Sequence, residues 1–393
     1  MLDKKILYPF IALIAVITIF NTIWKIYPFY GYKVLEDWYY IYSYQNCLDN
    51  NLFIPKYYTC NDLVTGKVFV YPKIWIEISR ILKTYFINFI FFFIICYFFI
   101  LYYFLKNVLP FFFLFIFSPS SLLIIQRGNN DLVIFFILFL FGITIISNKL
   151  KKISFIPLII SIQLKIYPVF LIGLYFLKKV FIKQYVQILI VLFSIFFFIE
   201  EIISISKVYN KSNVTLAYSS DTIFYIINYL IKINPQYTKI ISIICMILLI
   251  GISFLFKIKE KQNSNNEIFF LIGSITLITS FFLSNTYDYK FIFIVFCIPL
   301  ILELKKIRKK ILILILISAW IEFIVYYSRN FSNINNLISY KEILNLNLNS
   351  FIFIISTIFK NFIYWIINFY LIIITKDIFF EKSKKIIYKT IKL

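Results

Sequence analysis

The sequence predicts an all-α polytopic membrane protein, and three features predict it together. Apolar residues make up 62% of the 393 positions, charged residues only 15%, and the mean hydropathy is +0.88. Soluble domains run nearer ~45–50% apolar and ~25% charged. Apolar runs of about 20 residues, enough to cross a bilayer, recur along the whole length. Those runs do not alternate apolar with polar, which excludes the short dyad-patterned segments of a β-barrel. With 7 Gly and 10 Pro the chain is not a low-complexity polymer. The 49 Phe and 31 Tyr accompany abundant Ile, Lys and Asn, a bias expected of an AT-rich genome, and carry no functional weight as such.

About twelve spans are expected, at residues 6–24, 86–105, 108–125, 132–148, 153–164, 166–177, 184–200, 238–256, 268–283, 291–304, 311–327 and 351–375. The first follows Lys4 and Lys5 and ends in NTIWKIYP, with no small-residue cleavage site, so it reads as a signal anchor that stays attached. The second, third and fourth are apolar runs interrupted only by short polar breaks. The fifth and sixth are short and meet at 165–168, which reads as a broken hairpin as readily as two full spans. The later spans are separated by Lys-rich or Asn-rich stretches. Residues 376–393 form a basic tail, expected to lie on anionic lipid in the cytoplasm.

Charge orients these spans. The net charge is +22, but the basic residues sit in short clusters between apolar runs, which points to a membrane and not to nucleic acid. With the N-terminus in the cytoplasm, more than half of the 40 Lys and Arg fall inside. Lys149, Lys151 and Lys152 are among them, as are Lys178, Lys179, Lys183 and the run at 305–310. Most of the 18 acidic residues fall outside. Both termini are then cytoplasmic, and the polar, non-basic loops share the extracytoplasmic face: 25–85, 126–131, 165–168, 201–237, 284–290 and 328–350. The whole of 1–393 reads as one integral membrane domain, multi-pass in an inner or plasma membrane.

The absence of His excludes a histidine base, a Ser-His dyad and a His metal site. No Cys spacing, Walker motif or dinucleotide loop is present, so neither metal nor cofactor is expected. Cys96, Cys245 and Cys297 lie in apolar spans. Cys47 and Cys60 share the first outer loop and are able to pair if it faces an oxidising compartment, though spacing alone does not decide this.

Four polar stretches remain. In VLEDWYYIYSYQ, residues 34–45, Glu36 and Asp37 precede an aromatic stretch; a carboxylate here suits either a general base or a helix start. The loop closes on Tyr71 in YPKIW. In RGNND, 127–131, Arg127 suits a phosphate, Gly128 allows close backbone approach, and Asn129 and Asp131 suit sugar hydroxyls; an ordinary turn is the competing reading. In LKIYP, Lys165 is a lone cation between apolar segments, either functional or snorkelling. In SNTYDYK, Asp288, Tyr289 and Lys290 make a late outer cluster.

This order of motifs resembles the polyprenol-phosphate-dependent glycosyltransferases of family 87, in the glycosyltransferase C superfamily. It is similar in particular to bacterial polyprenol-phosphate-mannose-dependent α-mannosyltransferases. The likeness covers roughly residues 1–330. It implies a glycosyltransferase C-like fold with a large first extracytoplasmic loop carrying the base, Asp37, with Glu36 beside it. The family's Gly-Asn/Gln-x-Asn element falls on Gly128, Asn129 and Asp131, with Asp where Asn is usual. Its Lys-x-x-Pro falls on Lys165 and Pro168. Where the family often carries Asp-His, this chain has Asp288 and Tyr289. The implied activity is transfer of a hexose, mannose-like, from a polyprenyl-phosphate sugar to a glycolipid or cell-surface glycan, with inversion. Two rivals are a lipid-linked sugar flippase or transporter and a polysaccharide polymerase or ligase. A transporter would be expected to hold charges deep in several spans and to show two related halves.

Overall fold

The computed structural model describes residues 35–49, 71–82, 85–177, 217–231, 235–258, 264–283, 286–331 and 348–391, with parts of 7–18 and positions 189, 192 and 196. Most of the expected first span, nearly all of 184–200, and Cys60 with its pairing to Cys47 lie outside them. The described chain is all-α apart from one two-residue antiparallel pairing. Among the described residues three helical stretches are long and apolar enough to cross a membrane: Asn88–Leu105, Asn265–Phe282 and Phe351–Glu381. A bent pair of helices makes a fourth if counted as one span. Contacts gather the chain into two compact units. One draws on Met1–Ala15, Gly31–Tyr103 and Leu122–Asn210, the other on Val16–Tyr30, Phe104–Ser121 and Lys211–Leu393.

In the first unit, α1 (Glu36–Asp49) starts just after Leu35, whose φ is +59°. Glu36 and Asp37 occupy its first turn, where carboxylates suit the positive end of the helix dipole. Trp38, Ile41 and Tyr44 recur every third residue and are fully buried. Trp38 stacks on Phe86 at 4.3 Å, and its indole N–H donates to the Phe86 carbonyl at 2.6 Å. That fixes α1 to the start of α3 (Phe86–Leu105). Between them, α2 (Ile74–Leu82) is amphipathic: Trp75, Ile76 and Ser79 are buried, while Glu77 and Arg80 pair on the exposed side. Trp75 packs edge-on against Trp38 at 5.6 Å and donates to the Leu164 carbonyl at 3.1 Å. Such aromatics bury ~150–250 Å² each, so the two tryptophans dominate this junction.

The expected third span is broken into α4 (Leu109–Ile116) and α5 (Pro119–Arg127), bent by 52°. The cause is Pro119, which has no N–H to continue the first helix but suits the start of a second. α6 (Asp131–Ile146) follows after three residues and packs on α7 (Phe155–Leu164). At Lys165 the backbone becomes extended, then a 3-10 helix over Tyr167–Ile172 leads into the short α8 (Gly173–Leu177). Pro168 sits in the first turn of that 3-10 segment, where its fixed φ is tolerated.

In the second unit, β1 (Ala217–Tyr218) pairs with β2 (Thr286–Tyr287), and α9 (Thr222–Ile231), α10 (Pro235–Ser253) and α11 (Ser264–Leu283) lie between them in sequence. The stretch expected as a span at 291–304 is a 3-10 helix over Asp288–Cys297 followed by α12 (Ile298–Glu303). It lies hard against α11. A Cβ on Gly273 would stand 2.7 Å from the Phe293 carbonyl and 2.8 Å from the Phe296 Cβ, so only glycine permits that approach. α13 (Arg308–Phe331) and α14 (Leu348–Ile391) form the most extensive helix pair. α14 runs on through the basic 376–393 segment as far as Ile391, and at the start of that segment Lys376 donates to the Ser253 and Phe256 carbonyls at 2.8 and 2.5 Å.

Candidate functional site

The polar break between α5 and α6 is held closely against the start of α1. Gly128 has φ +54°, and a Cβ there would stand 2.7 Å from Leu35 Cδ2 and 3.3 Å from Leu35 Cα. The Leu35 N–H donates to the Gln126 carbonyl at 2.5 Å. Two left-handed residues, one of them a leucine that ordinarily avoids this region, thus dock together. Their approach brings Asp37 beside Arg127.

Asp37 is the centre of the contact. Arg127 grips it side-on, Nε to Oδ2 at 3.0 Å and a terminal nitrogen to Oδ1 at 2.5 Å. Asn129 Nδ2 donates to Oδ2 at 2.5 Å. The same Asn129 accepts from the Asp131 backbone N–H at 2.8 Å, satisfying one of the donors at the N-terminus of α6. Asp131, fully buried, accepts from Lys165 Nζ at 2.7 Å and from the Tyr167 hydroxyl at 2.8 Å, both on Oδ1. Asn129 is therefore the bridge between two buried carboxylate–cation pairs.

Tyr71 closes one side. Lys165 Nζ lies 5.9 Å from its ring centroid, and Tyr40 packs on it edge-on at 6.0 Å. Burial pushes the Tyr71 hydroxyl well above the ordinary tyrosine pKa; the negative charge of Asp37 adds to this and Arg127 opposes it. The phenol thus sits within the field of the cluster.

Each buried pair is costly to assemble and costly to break, since removing one partner leaves an uncompensated charge worth about 3–5 kcal/mol. Three acceptor positions on Asp37 are taken, and a carboxylate has about four. One lone pair of Oδ1 remains. Lys165 spends one of its three N–H bonds on Asp131, and its side chain keeps 14% exposure against 0% for Asp131.

Six of the residues singled out from sequence, Asp37, Arg127, Gly128, Asn129, Asp131 and Lys165, are thus gathered in one cluster with Tyr71. Glu36 is half-buried in the first turn of α1. Asp288, Tyr289 and Lys290 belong to the second unit, at the start of its long 3-10 segment. Lys290 is buried there, while the side chains of Asp288 and Tyr289 lie outside the described residues. Among the described residues no group of three or more His, Cys, Asp or Glu is placed to hold a metal ion.

Sequence reasoning missed Tyr167, although it lies in the LKIYP stretch, because a tyrosine among so many carries no signal of its own. It also missed Glu322 and Lys360. Lys360 donates to Glu322 at 2.6 Å between α13 and α14, with side-chain exposures of 0% and 2%. Two charges inside apolar spans were a legible signal for that pair. No protein-family model, curated protein or solved structure matches the chain.

Proposed function

We propose that the chain is a multi-pass glycosyltransferase with about twelve spans, built like the glycosyltransferase C enzymes and working on the extracytoplasmic face of an inner or plasma membrane. The donor is a polyprenyl-phosphate hexose, mannose-like, and the acceptor a glycolipid or growing glycan. The observation that carries this reading is the cluster itself. Segments 90 or more residues apart, Asp37 and Arg127 through Lys165, converge on two carboxylates, two cations and an amide bridge at the end of apolar helices.

In the proposed reaction an acceptor hydroxyl oxygen attacks the anomeric carbon. The bond from that carbon to the phosphate oxygen breaks, and its electron pair leaves on the phosphate. The hydroxyl proton passes to Oδ1 of Asp37 and from there to water. Arg127 orients Asp37. Lys165, the more exposed cation, meets the phosphate charge as it grows, an electrostatic role typical of such transfers. In-line displacement inverts the anomeric centre.

The test is purified protein in lipid nanodiscs, offered a panel of labelled polyprenyl-phosphate sugars with a membrane glycolipid extract. The reading expects one sugar to be transferred and polyprenyl phosphate released. Absence of turnover with every donor would sink it. A second reading, movement of a lipid-linked sugar across the bilayer, is favoured by the Glu322–Lys360 pair, since transporters hold paired charges at depth. Flipping of the same labelled lipids in proteoliposomes separates the two.

A further inference from the structure

Asn130 stands between two residues whose side chains both bond within the cluster. Asn129 uses its amide nitrogen on Asp37 and its oxygen on the Asp131 N–H, and Asp131 holds Lys165 and Tyr167. Asn130 differs from both. It is 1% exposed, yet neither its Oδ1 nor its Nδ2 has a hydrogen-bond partner. Its backbone carbonyl is occupied in the first turn of α6, accepting from Val133 and Ile134 at 3.1 and 3.2 Å. The carbonyl is therefore satisfied within the helix, and the amide makes no capping hydrogen bond.

A buried amide with both ends open is an expensive way to fill space. Leucine has the same branched shape and no polar atoms to desolvate. A structural role alone would favour the apolar residue, so the amide is matched to something polar. Its chemistry narrows what that is. An open donor beside an open acceptor complements a hydroxyl, which both donates and accepts. A phosphate diester only accepts and would leave Oδ1 unmatched.

We propose that Asn130 reads the hydroxyls of the sugar on the donor lipid, and that it determines which sugar the site accepts. This rests on the glycosyltransferase reading above and divides the cluster by chemistry: Lys165 meets the phosphate, Asp37 the acceptor, Asn130 the sugar.

The experiment compares wild type, Asn130→Leu and Asn130→Ala in nanodiscs. Affinity is measured for a polyprenyl phosphate without sugar and for the same lipid carrying mannose or glucose, with thermal unfolding alongside. Both variants should bind the bare lipid as wild type does. They should bind the preferred sugar-bearing lipid about tenfold or more weakly, the loss expected for one or two buried hydrogen bonds to a neutral group. Asn130→Leu should melt at or above the wild-type temperature. Unchanged affinity for the sugar-bearing lipid would overturn the proposal, as would an equal loss for both lipids or a fall in melting temperature in both variants. If wild type itself gains nothing from the sugar, the glycosyltransferase reading fails first, and that result is distinct from any variant effect.

Discussion

The protein holds buried ion pairs of two kinds. Around Asp37 and Asp131, charges arrive from a helix start, a helix end and an extended linker, and they are joined through Asn129 into a network with Tyr167. Between α13 and α14, Lys360 donates to Glu322 across two long helices. Arg127 and Lys165 keep side-chain exposures of 7% and 14%, whereas Lys360 keeps none. The difference is one of purpose. A pair sealed in a helix interface fixes register and partner. A network at helix ends, with a partly open cation and an amide that has no hydrogen-bond partner, is the arrangement proposed above to meet a ligand. Neither kind earns much net stability, because desolvation offsets most of the attraction.

The comparison can be broken by substitution. The largest effect is expected in the network. Arg127→Gln and Lys165→Gln should each lower turnover by about 10²–10³, the loss typical when one preorganised electrostatic donor is removed. For Lys165 the loss should appear in rate more than in donor affinity, because the charge it meets grows in the transition state. Arg127→Lys should rescue only partly, since Lys lacks the fork that grips both Asp37 oxygens. Initial rates and donor affinities in nanodiscs decide this, and wild-type kinetics in both variants would make these charges mere anchors.

Next comes the sealed pair. Lys360→Met should destabilise the protein by about 3–5 kcal/mol by removing the buried cation that donates to Glu322, while the double change Glu322→Leu with Lys360→Leu should restore most of that loss. Unfolding in detergent measures both. A double variant no more stable than the single would mean that the pair does more than clamp two helices.

Gly128→Ala should cost less in stability, about 1–2 kcal/mol for a left-handed non-glycine residue. It should cost more in turnover, because the new methyl displaces Leu35 and with it the start of α1 that carries Asp37. Loss of stability without loss of turnover would show that the Leu35–Gly128 contact does not position the site.

Tyr71→Phe is the subtlest change and shows only at high pH. A raised tyrosine pKa means the folded chain keeps a proton that the unfolded chain gives up. That contribution is whole below the ordinary value of ~10 and is lost as pH rises from there toward the raised folded value. The variant should therefore lose less stability than wild type above about pH 10. A pH-independent difference in melting temperature would contradict the burial of this phenol beside Asp37.

How much of this was legible in sequence varies with the range of the interaction. The span expected at 86–105 coincides with α3, because nothing but apolar side chains and helix hydrogen bonds decide it. The span at 108–125 is broken because Pro119 outweighs the apolar pattern around it, and the first half of the stretch at 291–304 is 3-10 where it packs tightly against Gly273. Apolar periodicity does not distinguish those backbones. In the candidate site, Asp37, Arg127, Asn129, Asp131 and Lys165 were visible as polar interruptions of an apolar chain. Their partners were not. Arg127 is bound to Asp37, 90 residues away, and that choice is made by the meeting of Leu35 with Gly128. Asn130 was not singled out, since its unmatched amide is apparent only once its neighbours are in place.

The most direct test sets the two kinds of pair against each other in one assay. Turnover of the preferred polyprenyl-phosphate hexose is measured for Asp37→Asn and for the Glu322→Leu, Lys360→Leu double variant, each shown to be folded by thermal unfolding. The account predicts a fall of about 10²–10⁴ for Asp37→Asn, the range of general-base catalysis, and near-normal turnover for the double variant. Near-normal turnover in Asp37→Asn, with the loss appearing in the double variant, would contradict it and move the working site to the interior of the second unit.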